Sequence, residues 1–192
     1  MSIAIIAYGS LIWDEDNLAP HITGGWRERA GPRLPVEFSR ISAKRRGALV
    51  LTIDERAGHR VATHVTRSTR HELPAAARDL ARRERGPLSA IGMVRKGLPP
   101  VNCRPAIGRI VHDWLMAQDE FEAAIWVNLP ANFERRTGRR FDPAAGLQWL
   151  RRLSSEQLRE AWRYITFAPP ASDTPFRQYL RADPWWRTLN FA

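Results

Sequence analysis

The stretch IAIIAYGSL, residues 3–11, decides how the chain begins to fold. Residues 3–8 are all apolar and rich in β-branched side chains, which predicts a central buried strand. Gly9 ends this strand, and a Gly-Ser pair at a strand end presents consecutive backbone N–H groups with little obstruction from side chains. Such a nest suits a carboxylate or a developing oxyanion. A strand–turn junction without any ligand is the alternative interpretation.

Further along the chain, hydrophobic alternation and helical periodicity predict a mixture of strands and helices. Residues 10–33 are predicted to be irregular, and Glu37 and Ser39 should face away from the apolar side of their strand. We therefore expect an α+β fold with a mixed, barrel-like sheet, in a single domain over residues 1–192. The core would cover 1–133, with an inserted helix near 104–118, and a helical extension would cover 142–192. The predicted strands are 34–41, 48–53, 61–65, 90–94 and 121–127, and the first predicted helix is 73–84.

The charge of the chain is strongly positive, with 30 basic and 20 acidic residues and a formal net charge of +10. All the basic residues except Lys44 and Lys96 are arginine, and they are scattered singly and in pairs such as Arg82–Arg83. Because no basic block is continuous, we interpret the charge as a solvated surface. We expect no specific nucleic-acid partner and no membrane partner, and polyanion binding stays open as an alternative.

Cysteine and histidine usage bears on cofactors and on the cellular compartment. Cys103 is the only cysteine, so the chain forms no intrachain disulfide and has no cysteine cluster for zinc. The five histidines show no metal-ligand spacing, so we expect neither a metal nor another cofactor. The apolar stretch 3–8 lacks a basic leader and is too short for a secretory core, which favours a cytoplasmic protein.

Several stretches, in chain order, resemble the γ-glutamylcyclotransferase-like superfamily, and in particular its ChaC-type branch. AYGSLIW (7–13) is similar to the N-terminal signature, and LPAAARDLARRERG (73–86) is similar to the helix that carries the catalytic glutamate. EAAIWVNLPANF (122–133) is similar to the late strand and the loop after it. Two departures occur near the glutamate: Ala81 replaces a common aspartate, and Arg85 intervenes between Glu84 and Gly86.

The resemblance implies a barrel-type fold and an enzyme that converts a γ-glutamyl amine or peptide, for example glutathione, to 5-oxoproline and the free amine. Glu84 would be the catalytic acid–base group, and Tyr8, Gly9, Ser10 and Leu11 would bind the substrate. The substrate's own α-amine attacks its γ-carbonyl, so the reaction needs no enzymatic nucleophile, metal or cofactor. Ser10 is accordingly not a nucleophile, and the glycines that flank the serine in a nucleophile elbow are absent here.

Two alternatives remain open at this point. Glu84 could be a surface glutamate paired with a neighbouring arginine, since its helix is rich in both residue types. The protein could also be a non-enzymatic relative in which the same pocket binds a small carboxylate. An intact Glu84 favours the enzyme, because a binding pocket has no need of a general base. The sequence leaves open which amine the reaction would release and what the oligomeric state is.

Overall fold

The structure, a computed structural model, describes residues 1–191. Contacts along the chain define two compact units. The first consists of Met1–Leu34 and Ala62–Leu129, and the second of Pro35–Val61 and Pro130–Ala192. Helices accompany a β-sheet in both units, which confirms the predicted α+β class.

Most of the strands come early in the chain, and α-helices predominate after β8. The strands are β1 (Ile3–Ala7), β2 (Ile22–Arg27), β3 (Arg33–Ser42), β4 (Ala48–Ile53), β5 (His59–Ala62), β6 (His64–Ser68), β7 (Ile91–Arg95) and β8 (Ala123–Val127). The α-helices are α1 (Leu73–Glu84), α2 (Pro105–Met116), α3 (Phe133–Thr137), α4 (Pro143–Leu150), α5 (Ser155–Phe167), α6 (Pro175–Ala182) and α7 (Pro184–Thr188). In residues 1–191, no helix is long and apolar enough to cross a membrane.

The first unit is built on a five-stranded sheet with the strand order β2-β6-β1-β8-β7. Its central strand, β1, runs antiparallel to β6 and parallel to β8, with Ile5 opposite Thr66 on one side and Ile125 on the other. All five residues of β1 are buried, as expected for a central strand. Because β1 and β8 are parallel, their carboxyl ends lie at the same edge of the sheet, where open α/β sheets usually bind ligands.

Helix α1 covers one face of this sheet. Its inner stripe contributes small and branched side chains to a core that also contains every second residue of β1 and β8, as the strand period requires. The core members are Ile3, Ile5, Ala7, Ala76, Ala77, Leu80, Ala81, Ala123 and Ile125, together with Leu11 from the turn after β1. Glu84, the last residue of α1, therefore lies close to the sheet edge at which β1 and β8 end.

The second unit is built on a three-stranded sheet with the order β4-β3-β5, and α4 and α5 pack on β4. Glu37 and Ser39, predicted to lie opposite the apolar side of β3, are both buried. Other parts of the same unit cover that face. The hydroxyl of Thr174 and the backbone N–H of Phe176 both donate to the Glu37 carboxylate, and the backbone N–H of Asn132 donates to the carbonyl of Ser39 at 3.3 Å.

Two expectations for the strands are wrong in detail. Residues 22–27, predicted to be irregular, form β2, which tolerates Gly24 and Gly25 at positive φ because its pairing with β6 shifts register there. The segment 61–65 is divided between β5 and β6, which belong to different sheets. Thr63 interrupts it, donating its buried hydroxyl to the Pro32 carbonyl at 2.7 Å. Within residues 1–191 the strands form no closed barrel.

Candidate active site

The turn after β1 carries the first group of predicted site residues. Residues Ser10–Ile12 form a short 3-10 turn in which the Ile12 N–H donates to the Gly9 carbonyl at 3.1 Å. The N–H groups of Gly9, Ser10 and Leu11 precede this first donor and have no acceptor within the turn. Gly9 and Leu11 are buried and Ser10 is half-buried, so the turn combines an apolar anchor at Leu11 with a partly exposed residue at Ser10.

Tyr8 is buried, and its hydroxyl donates to the carbonyl of Val127 at 2.9 Å. Val127 is the last residue of β8, so this hydrogen bond joins the ends of the two parallel strands. The hydroxyl proton of Tyr8 is therefore already donated within the protein. This hydrogen bond suits Tyr8 to forming part of the wall at this sheet edge, and not to donating its hydroxyl proton to a substrate.

Glu84 is the last residue of α1, and the helix ends there by a defined backbone motif. Arg85 takes a left-handed conformation with φ 53°, and Gly86 N–H reaches back to the Ala81 carbonyl at 3.1 Å. This is the Schellman arrangement, in which the left-handed position is usually glycine. The intervening Arg85 thus occupies the glycine position of the cap, and it fixes where the Glu84 side chain leaves the helix.

Arg83 connects Glu84 to the turn after β1. Its guanidinium is almost fully buried, with 2% of the side chain exposed, and Nη1 lies 2.5 Å from Oε1 of Glu84. Nη2 lies 3.4 Å from the Ser10 hydroxyl, and Nε donates to the carbonyl of Asp14 at 3.1 Å. One planar group with several donors therefore holds the helix end and the 10–14 turn together.

The sequence predicts that Glu84 lies beside the Tyr8–Leu11 turn. In the structure, the Arg83 side chain contacts both Ser10 and Glu84. The alternative interpretation, a glutamate paired with a neighbouring arginine, describes the Arg83 contact correctly. That arginine, however, is buried, and the Glu84 side chain is itself only 16% exposed. The Arg83–Glu84 pair is therefore largely buried and does not lie on the solvated face of α1.

Sequence reasoning missed Arg83, although a signal for it was present. Arg78, Arg82 and Arg85 form the charged face of α1, and all three are exposed. Arg83 does not share that face, because it follows Leu80 by three residues and so lies on the buried stripe. A long cation at a core position of an amphipathic helix has to find buried acceptors, and these are Glu84 and the Asp14 carbonyl.

Two further side chains at strand ends each carry one buried polar atom without a hydrogen-bond partner. His64 begins β6 opposite Ala7, and its buried Nδ1 makes no hydrogen bond in the described part of the chain. Burial lowers the pKa of His64, which favours the neutral imidazole. Asn128 directly follows β8, and its Oδ1 is likewise buried and unpaired. Because buried polar atoms are rarely left unpaired, these two atoms at one sheet edge are consistent with a polar ligand there.

An acidic residue with a strongly shifted pKa lies elsewhere, in the second unit. Burial raises the pKa of Glu37 from 4.5 to about 7, against the opposing effect of hydrogen bonds from Thr174, Phe38 and Phe176. Glu37 is 1% exposed and receives the Phe176 amide at the start of α6, at 3.2 Å. A carboxylate enclosed by protein donors has no access to a substrate. We therefore assign Glu37 to the capping of α6.

Among residues 1–191, no three His, Cys, Asp or Glu side chains are grouped so that they could hold a metal ion. Comparison of the chain with protein-family models, with curated proteins and with solved structures finds no match.

Proposed function

We propose that the protein is a γ-glutamylcyclotransferase-like enzyme and that its fold is a variant of that superfamily's barrel-type core. The observation that carries the proposal is the connection of Glu84 to the Ser10–Asp14 turn through the buried Arg83. An acid from the end of α1 and the amide-rich turn after β1 are far apart in sequence. Their approach at the carboxyl ends of two parallel strands matches the arrangement that the proposed reaction requires.

The reaction is an intramolecular aminolysis. The α-amine of the γ-glutamyl group attacks the γ-carbonyl carbon, a new C–N bond closes the five-membered ring, and the amide C–N bond breaks. One proton leaves the α-ammonium and one is delivered to the leaving nitrogen. A single carboxylate can accept the first and donate the second, so Glu84 performs both transfers. The enzyme's other contribution to the rate is to hold the substrate in a folded conformation, because the two reacting groups already belong to one molecule and need only be brought together.

The remaining site residues bind the substrate in this scheme. The N–H groups of Gly9, Ser10 and Leu11 face the α-carboxylate or the oxyanion of the tetrahedral intermediate. Tyr8 forms the wall, and the unpaired Asn128 Oδ1 is an acceptor suited to the α-ammonium. The scheme requires no metal or other cofactor. We place the enzyme in the cytoplasm, in keeping with a chain that has one cysteine and no disulfide.

A second candidate function is the binding of a small carboxylate without turnover. The contact between Arg83 and Glu84 favours it, because the guanidinium already occupies one oxygen of the carboxylate that would have to act as the acid–base group. The two functions differ in one measurable respect. An enzyme releases 5-oxoproline from a γ-glutamyl compound, whereas a binding protein retains the compound unchanged.

The decisive experiment is a 5-oxoproline release assay over glutathione, γ-glutamyl amino acids and γ-glutamylamines, with the wild-type protein and Glu84→Gln. We expect turnover of at least one compound and a loss of about a thousandfold in kcat for Glu84→Gln, the size of a general acid–base contribution. Glutamine can still accept from Arg83, so the fold should be retained, which circular dichroism checks.

The matched control is Glu72→Gln, at the other end of the same helix, where the residue is exposed. This variant should retain the wild-type rate. Ser10→Ala tests the role of the hydroxyl and should lower kcat by no more than about threefold, because its contact with Arg83 is long and weak. Near-complete activity of Glu84→Gln would refute the assignment, and binding without release by the wild type would establish the second function.

A further inference from the structure

A cavity of about 500 Å³ lies beside α2 in the first unit. Its volume is within the range of roughly 300–1,000 Å³ that is typical of small-molecule sites. The lining comes from the segment 97–112, so none of Tyr8–Leu11, Arg83 or Glu84 belongs to it. The cavity is therefore a candidate site that the cyclotransferase proposal does not use.

One wall of the cavity is apolar and rigid. Pro99, Pro100 and Pro105 line it together with Leu98, whose side chain is 55% exposed. Proline rings fix the backbone φ angle, so this wall requires little ordering when a ligand arrives. An exposed leucine beside three prolines offers apolar surface that a ligand with a hydrocarbon body would remove from water.

Close packing of the Pro99–Pro100 segment against α2 holds this wall in position. A Cβ at Gly108 would lie 2.8 Å from the Pro100 ring and 2.9 Å from Sγ of Cys103, so only glycine permits this approach. Cys103 also lines the cavity, and burial raises the pKa of its thiol. The thiol is therefore neutral near pH 7 and adds a further apolar surface.

The lining of the cavity also includes basic residues. Arg109 and His112 line it, and they lie three residues apart on α2, which places them on the same side of the helix. Nδ1 of His112 is 3.4 Å from the Asp113 carboxylate. Arg109 is exposed and has no ion-pair or hydrogen-bond partner within residues 1–191, whereas many other arginines of the chain, for example Arg27 and Arg181, have carboxylate partners.

We propose that this cavity binds a small organic carboxylate with an apolar body. The carboxylate pairs with the guanidinium of Arg109, whose planar donors match its two oxygens, and the body lies along the proline wall. The unpaired cation selects an anionic head group, and the apolar wall distinguishes such a ligand from an inorganic anion. This inference stands whether or not the protein is a cyclotransferase.

The test compares three probes with the same eight-carbon body: octanoate, octan-1-ol and octylamine. Isothermal titration calorimetry at pH 7 should show octanoate binding about tenfold more tightly than octan-1-ol, the size of one charge-assisted hydrogen-bonded pair at an accessible site. Octylamine should bind most weakly, because its ammonium group meets Arg109. Equal affinity for octanoate and octan-1-ol, or no binding of octanoate, would overturn the proposal.

Two further measurements locate the site. Cys103 is the only cysteine in the chain, so iodoacetamide reports on this cavity alone, and bound octanoate should slow its alkylation. Arg109→Leu should bind octanoate and octan-1-ol alike, with the affinity for octan-1-ol unchanged. The control is Arg78→Leu, an exposed arginine on α1, which should behave as the wild type. Unaltered octanoate affinity in Arg109→Leu, or unprotected Cys103, would also overturn the proposal.

Discussion

Arg83 and Glu84 are consecutive residues, and their side chains nevertheless meet, with Nη1 and Oε1 2.5 Å apart. Adjacent residues inside a helix point in different directions and do not face each other. They meet here at the end of α1, where Glu84 is the final helical residue and Arg85 takes a left-handed conformation. The end of α1 thereby directs its carboxylate toward the guanidinium that also contacts Ser10 and Asp14.

The first prediction concerns Arg83 as a positioning residue. Arg83→Lys keeps the positive charge, but a single ammonium cannot contact Glu84, Ser10 and the Asp14 carbonyl in the same geometry. We expect kcat for 5-oxoproline release to fall by about a hundredfold, as for a misplaced catalytic group, while KM changes little. Steady-state kinetics on the best γ-glutamyl substrate measures both constants.

The control for this prediction is Arg82→Lys. Arg82 has a 71% exposed side chain and lies 3.7 Å from Asp79, so the exchange should leave both kinetic constants within about twofold of the wild type. Equal effects of the two lysine variants would show that Arg83 has no particular role. A rise in KM with an unchanged kcat would assign Arg83 to substrate binding and contradict the prediction.

The second prediction concerns the pH dependence of stability. Burial raises the pKa of Glu37 to about 7 in the folded protein, from 4.5, so the folded state holds this proton more tightly than the unfolded state does. The stabilisation is therefore complete below pH 4.5 and is lost as the pH rises through 7. At 1.36 kcal/mol per pKa unit, the loss in unfolding free energy is roughly 3 kcal/mol.

Urea unfolding between pH 5 and pH 9 measures this dependence. Glu37→Gln removes the titrating group, so its unfolding free energy should vary much less over this range, even if the amide pairs less well with Phe176. Glu156→Gln, at a 73% exposed side chain of α5, should retain the wild-type profile. A wild-type protein whose stability rises steadily from pH 5 to pH 8 would contradict the assignment.

The third prediction concerns Gly92, which lies opposite Trp126 in the β7–β8 pair. A Cβ at Gly92 would lie 2.3 Å from Cε2 of the Trp126 indole, which is completely buried. The ring covers the glycine, as aromatic side chains often do beside a strand glycine. Gly92→Ala should therefore destabilise the first unit by about 1–3 kcal/mol through overpacking.

Denaturant unfolding followed by tryptophan fluorescence measures the effect of Gly92→Ala. Gly86→Ala is the control, because a Cβ there would meet only the Ala90 Cβ at 3.9 Å, and its effect should be within about 0.5 kcal/mol. If both variants had the stability of the wild type, the close approach of the indole to Gly92 would have no energetic consequence.

Local patterns were sufficient for most elements of the fold. The apolar run at residues 3–8 became β1, and the helical spacing from Leu73 to Glu84 became α1 with the same bounds. The Ser154–Gln157 capping box opens α5 with both of its reciprocal hydrogen bonds. In each case the information lies within a few residues, so sequence alone could supply it.

The errors arose where distant contacts decide the structure. The continuous alternation at 61–65 gave no sign that Thr63 would bond to Pro32 and separate two strands of different sheets. The glycines of β2 argued for a loop, and its pairing with β6 overrode them. Likewise, Glu84 could be selected from its helix position, whereas Arg83 as its partner required knowledge of where residues 10–14 would lie.

The second unit is composed of two separate stretches, Pro35–Val61 and Pro130–Ala192. During synthesis, β3 and β4 leave the ribosome long before the helices that will cover them. Until Thr174 and Phe176 emerge, Glu37 lacks the donors that enclose it in the finished fold, and we expect its solvated side chain to disfavour association of the nascent apolar strand with other chains. A carboxyl group that is costly to bury in the finished core would thus protect the chain while it is being made.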